Sequence, residues 1–282
     1  MKRFDFKGKK AVITGAGSGI GLEYSRQLAQ RGCSLCLIDV NRQNLDNARA
    51  EIKNLLDDGG SVRTLVCDLG RPDAATEVVE WLNRHNFPPE ILINNAGIFD
   101  FKTVADIPPH RIDTYINLHI VTVTHLSRLI GESMAARGEG VILNMSSMSC
   151  WMAMPGIALY SATKAYIHTF SRALDIELRD SGVSVLTCCP GGISTTLFGL
   201  PERLRRLGVA IGILYTPRRF VKGALRRLSR RKSLYINGFL NRLSIVLVAG
   251  LPKWARRYGK HVSLDRMKAK KAASDNAPHH EK

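Results

Sequence analysis

The sequence predicts an α/β protein: a doubly wound parallel sheet of about seven strands, followed by a basic helical C-terminal extension. Three observations carry this expectation. Short apolar runs alternate with longer stretches of helical period. The first apolar run opens onto a cluster of glycines. The excess positive charge sits entirely at the back of the chain.

The elements follow in order. Lys10 to Thr14 is a short buried strand, and a helical pattern after the glycines runs to Leu28. Ser34 to Asp39 is a second strand that ends in an acid. Asn44 to Leu56 is helical, closed by Asp57-Asp-Gly-Gly60. Ser61 to Cys67 is the third strand, and residues 72–84 are helical. Pro88 and Pro89 interrupt the chain before strand Glu90 to Asn94. A long helix spans Pro109 to Ala136, and Gly140 to Met145 is the fifth strand. A helix from Tyr160 to Asp180 leads to the sixth strand, Val183 to Cys189. Thr216 caps a helix that starts at Pro217, a favoured first position, and ends near Arg230. Ser233 to Asn237 is the seventh strand. Strands and helices alternating at this rhythm give parallel βαβ units with right-handed crossovers.

Length and composition set the bounds. The chain has 282 residues, 45% hydrophobic and 23% charged, which excludes wholesale disorder. No run reaches the ~20 apolar residues of a membrane-spanning helix. The first ten residues lack the apolar core of a secretory signal. The six cysteines (Cys33, Cys36, Cys67, Cys150, Cys188 and Cys189) read as buried thiols in a reducing, cytoplasmic setting.

Net charge is +17. Residues 1–196 hold 20 Lys and Arg against 20 Asp and Glu, whereas residues 197–282 hold 21 against 4. The expected organisation is therefore a catalytic domain at 1–238, a basic amphipathic extension at 239–266 and a disordered tail at 267–282. Residues 239–258 mix Leu, Ile and Val with Trp254, Tyr258 and several Arg, a pattern suited to the headgroup layer of an anionic membrane. The expectation is a cytoplasmic protein in peripheral contact with the inner face of a membrane. The alternatives for this segment are a cover over the active site and a subunit interface. Nucleic acid is disfavoured because no recognised binding motif accompanies the charge.

Thr14-Gly15-Ala-Gly-Ser18-Gly19-Ile20-Gly21 stands between a strand and a helix. Glycines permit a tight turn and close backbone approach, and the helix N-terminus offers free N–H groups to a pyrophosphate. Asp39 at the end of the second strand can bond both ribose hydroxyls of NAD and repel the 2′-phosphate of NADP. NAD is the expected cofactor and NADP the less favoured one. Tyr160 and Lys164 lie four apart on a helix and share a face. An ammonium beside the phenol is expected to lower its pKa toward working pH. The histidines show no ligand spacing: His119 and His125 are six apart, His125 and His168 read as packing or surface residues, and no metal is expected.

Together these motifs resemble the short-chain dehydrogenase/reductase family over residues 8–240. The glycine turn is similar to TGxxxGxG, Asn94-Asn95-Ala96-Gly97 to NNAG, Tyr160-Ser-Ala-Thr-Lys164 to YxxxK and Pro190-Gly191-Gly-Ile193-Ser-Thr195 to PGxxxT. The resemblance implies a Rossmann-like fold and a catalytic set of Asn117, Ser147, Tyr160 and Lys164. It implies cofactor binding by Gly15, Ser18, Gly19, Ile20, Gly21, Asp39, Asp68, Leu69, Asn95, Ala96, Gly97, Tyr160, Lys164, Pro190, Gly191, Ile193 and Thr195. Ser147, Trp151, Met154, Tyr160 and Phe198 would meet the substrate. Trp151 and the methionines around it form an apolar, adaptable wall suited to a small hydrophobic substrate such as a steroid, bile acid or long-chain acyl ketone. The expected reaction is hydride transfer between NAD(H) and a secondary alcohol or ketone. The alternatives are an NADPH-dependent 3-ketoacyl reductase of lipid synthesis and a non-catalytic nucleotide-sensing regulator. A homodimer or homotetramer is implied by the resemblance alone.

Overall fold

The computed structural model describes residues 2–57, 59–193, 202, 203, 206, 209 and 214–262. Seven strands form one parallel sheet in the order β3-β2-β1-β4-β5-β6-β7. They are β1 Lys10–Thr14, β2 Ser34–Asp39, β3 Val62–Val66, β4 Ile91–Asn94, β5 Gly140–Met145, β6 Val183–Cys188 and β7 Leu234–Tyr235. Helices cover both faces: α1 Gly19–Ala29, α2 Arg42–Lys53, α3 Ala74–Arg84, α4 Pro109–Ile116, α5 Thr122–Ala136, α6 Ala158–Arg179 and α7 Pro217–Ser229. This is the doubly wound, Rossmann-like arrangement. Strands β1, β4, β5 and β6 are almost wholly buried, which is why they read as unbroken apolar runs rather than alternating ones.

Two apolar layers flank the sheet. One face packs Tyr24, Leu28, Phe220 and Leu225 against Ile13, Leu37 and Leu143. The other packs Val78, Leu126, Ile130 and Leu174 against Val12, Leu92 and Ile142. Burying this much aliphatic surface, at about 25 cal/mol per Å², dominates the stability of the layers.

The expected long helix is divided. Its middle, Asn117–Val121, is a π turn between α4 and α5. Such bulges widen the helical repeat locally and re-aim the side chains they carry. Helix α2 also starts earlier than the periodicity suggests, because Asn41 caps it by accepting the Asn44 amide at 2.9 Å. The Thr216 cap is present, accepting the Arg219 amide.

Beyond β7 come α8 Phe239–Ala249 and α9 Lys253–Lys260. Among the described residues no helix is long and apolar enough to cross a membrane. The expected tail at 267–282 lies outside the described residues.

Candidate active site

The chain leaves β1 for β2 and β3, then returns to place β4 on the other side of β1. Ligands bind beyond the strand ends at such a reversal of strand order. A cavity of about 520 Å³ lies there. It is lined by Gly15, Ser18, Gly19, Ile20, Asp39, Asp68, Leu69, Asn95, Ala96, Gly97, Pro190, Gly191 and Ile193, and by Ser147, Tyr160 and Lys164.

The glycine turn fits a pyrophosphate for steric reasons. At Gly21 a Cβ would lie 1.9 Å from the Gly15 carbonyl oxygen, so helix and turn touch only because the side chain is missing. Gly19 has φ +55°, which favours glycine, and a Cβ there would meet nothing within 4 Å. The space beside it is open. Ser18 makes no side-chain cap to α1, which leaves the first amides of the helix to the cavity. Asp39 accepts the Gly17 amide at 2.8 Å and the Asn41 amide at 3.0 Å, which fixes its carboxylate at the cavity wall. These residues fit the adenosine diphosphate half of a nicotinamide dinucleotide.

The turn after β4 is held from below. Thr14 Oγ1 accepts the amides of Asn95 and Ala96 at 2.9 and 3.0 Å and donates to the Ile93 carbonyl at 3.3 Å. Deeper still, Asn94 donates to Asn144 at 2.8 Å, and Asn144 donates to Ser171 at 2.9 Å. These buried amides tie β4, β5 and α6 together in one register.

At the other end Ser147 stands beside the Tyr160 phenol, where its hydroxyl favours the ionised form. Ser147 Oγ also accepts the Ser149 amide at 3.1 Å. Phe99 packs edge-on against the Tyr160 ring at 5.0 Å. The phenol does not behave as the spacing suggests. Burial pushes it up to about 12, and the Ser147 contact only partly opposes this. Lys164 Nζ sits 5.6 Å from the ring centroid, donates to the Met145 carbonyl at 2.9 Å, and is itself pushed down to about 8 by burial. The expected lowering of the phenol is corrected accordingly: desolvation of Tyr160 by burial raises it instead.

The remaining candidates fall elsewhere. Asn117 opens the π turn and does not line the cavity, whereas its neighbour Leu118 does. The Trp151 ring packs edge-on against His168 at 4.8 Å, and neither Trp151 nor Met154 is among the lining residues. Thr195 and Phe198 lie outside the described residues.

Sequence reasoning passed over several neighbours of the site. Val40, Ile98, Arg111 and Thr114 line the cavity, with Arg111 paired to Asp100 at 2.8 Å. His119 is fully buried behind Gly97, where a Cβ would come within 3.1 Å of its Nε2. That nitrogen accepts the Ile98 amide at 3.1 Å, so the proton of the neutral ring belongs on Nδ1, 2.9 Å from Thr163 Oγ1. The only hint in the sequence is its position two residues after Asn117.

The comparisons with known proteins agree with this geometry. A family model described as short chain dehydrogenase matches residues 9–201. The chain is 29% identical over 259 residues to the 17-beta-hydroxysteroid dehydrogenase type 3 of Danio rerio, covering 89% of this chain and 80% of the relative. It is 32% identical over 230 residues to the Danio rerio very-long-chain 3-oxoacyl-CoA reductase-B, covering 80% and 70%. Among solved structures, a short-chain dehydrogenase from Sphingobium yanoikuyae in complex with NADPH superposes with TM-score 0.73 at 26% identity, covering 97% of this chain and 98% of that one. The chain belongs to the short-chain dehydrogenase/reductase family, oxidoreductases that act on CH–OH groups.

Proposed function

We propose that the protein interconverts a hydrophobic ketone and its secondary alcohol with NAD(H), and that Asn117, Ser147, Tyr160 and Lys164 form the catalytic set. The observation behind this reading is the cavity itself. One continuous space joins the glycine turn and Asp39 to the Ser147–Tyr160 pair. A bound nicotinamide supplies or accepts the hydride. Ser147 and Tyr160 donate hydrogen bonds to the substrate oxygen, and Tyr160 passes it a proton. A phenol held near 12 is protonated at neutral pH and so can donate to the substrate oxygen. Lys164 holds the cofactor ribose, and Asn117 connects Lys164 to solvent.

Asp39 supports NAD over NADP, since its carboxylate opposes a 2′-phosphate. A solved relative carries NADPH, so the choice is tested directly. The assay follows nicotinamide absorbance with NADH and NADPH against steroid, bile-acid and long-chain ketones. A protein that binds dinucleotide yet reduces none of them fits the regulator reading instead. A 3-ketoacyl reductase of lipid synthesis would prefer NADPH and an acyl thioester.

The C-terminal helices support peripheral contact with an anionic membrane through residues 239–258, at the inner face in a cytoplasmic setting. Phe239, Leu240, Val246, Leu247, Trp254 and Tyr258 are all exposed, beside Arg242, Lys253 and Arg257. Apolar and cationic side chains interleaved in this way suit a headgroup layer. A homodimer or homotetramer is supported on α6 by Ile176, Tyr166 and Phe170, of which Ile176 is 76% exposed.

A further inference from the structure

Three segments that frame the active site converge on a second cluster. Cys150 lies in the short helical turn Met148–Trp151 that follows Ser147. Cys189 follows β6 and precedes Pro190. His168 stands one turn beyond Lys164 on α6. Both thiol sulfurs and one imidazole nitrogen lie within 4.8 Å of one another. His168 Nε2 is buried and has no hydrogen-bond partner. The Trp151 ring closes one side at 4.8 Å from the His168 ring. All six cysteines are free thiols.

We propose that Cys150, His168 and Cys189 form a zinc site that clamps the serine loop, α6 and the loop of Pro190 and Gly191. Two thiolates and an imidazole make up a donor set that zinc prefers, and a water completes the tetrahedron. With Zn–S bonds of ~2.3 Å and Zn–N bonds of ~2.1 Å, the ligand atoms of a tetrahedral site stand roughly 3.5–3.8 Å apart. The present cluster, with its ligand atoms within 4.8 Å of one another, would have to contract to reach that spacing. A neutral Nε2 buried without a partner is unfavourable, and coordination through that nitrogen would satisfy it. Binding releases the two thiol protons to solvent and oxidises nothing. The ion touches none of the reacting atoms, so the site is independent of the substrate assignment above.

The test uses the full chain, reduced and then dialysed free of reductant and metal. One equivalent of Zn²⁺ is expected to survive gel filtration, and Co²⁺ in its place to give a thiolate charge-transfer band in the near ultraviolet. With zinc at about 100 times its Kd, the melting temperature should rise by about 5 °C or more. Cys150→Ser and His168→Gln should each weaken binding at least ~10-fold while far-ultraviolet circular dichroism stays unchanged. Zinc should also protect Cys150 and Cys189, but not Cys67, from alkylation mapped by mass spectrometry. Binding that persists in the Cys150→Ser/His168→Gln double variant places the ion elsewhere and overturns the site. So does a protein that takes up no zinc, or one whose isolated form holds a Cys150–Cys189 disulfide and remains metal-free after reduction.

Discussion

His119 hands its Nδ1 proton to Thr163 Oγ1 across 2.9 Å, and Thr163 in turn donates to the Tyr160 carbonyl at 2.9 Å. The same ring takes the Ile98 amide on its other face. The loop after β4 and the helix bearing the phenol are therefore fixed to each other through one neutral imidazole.

That ring must stay uncharged. Burial, with Lys164 and Arg111 nearby, holds its pKa well below the usual histidine range. Below pH 6.5 the unfolded chain takes up a proton that the folded chain refuses, so stability falls as pH falls. As the pH falls from 7.5 to 5.5 this one residue is expected to lower stability progressively. Urea unfolding of His119→Gln, whose amide can accept from Ile98 and donate to Thr163, should show a correspondingly shallower loss. Identical pH slopes in the two proteins would count against the assignment.

Tyr160→Phe removes the phenol hydroxyl and leaves the ring packed on Phe99. Turnover is expected to fall at least ~100-fold, the lower range for general acid–base catalysis. Dinucleotide affinity, measured by calorimetry, should change little. A variant with near-normal turnover excludes the role.

The proposed preference for NAD(H) rests on Asp39. Asp39→Ser should raise relative use of NADPH at least ~10-fold in kcat/KM, since it removes a charge facing the 2′-phosphate. The Gly17 and Asn41 amides it now accepts would lose their partner, so some loss with NADH is expected too. An unchanged cofactor ratio would show that selection lies elsewhere in the cavity.

Leu247→Glu/Trp254→Glu changes only exposed positions, 62% and 75% accessible, so folding should be unaffected. Sedimentation with anionic vesicles at low salt should drop several-fold relative to the unaltered protein and vanish on neutral vesicles. Equal pelleting of the variant would remove α8 and α9 as the contact.

Much of this was legible in the residues. The strand runs, the glycine turn, Asp39 and the Tyr160–Lys164 spacing are local signals, and the structure brings them to one cavity. What was not legible depends on distant packing. No spacing rule places His119 against Ile98, or His168 beside two cysteines from separate loops. The raised phenol of Tyr160 likewise depends on burial, which a pair of residues four apart cannot report. The break in the helix at Asn117 left no Pro or Gly to mark it.

Gly191 carries a last consequence. Its amide is held by Asn237 Oδ1 at 2.8 Å, and a Cβ on it would strike the Asn241 side chain at 2.2 Å. Helix α8 thus rests directly on a lining residue of the cavity, with no side chain to cushion it. A displacement of that helix therefore cannot be absorbed by a side chain at Gly191 and must move the backbone at the cavity wall.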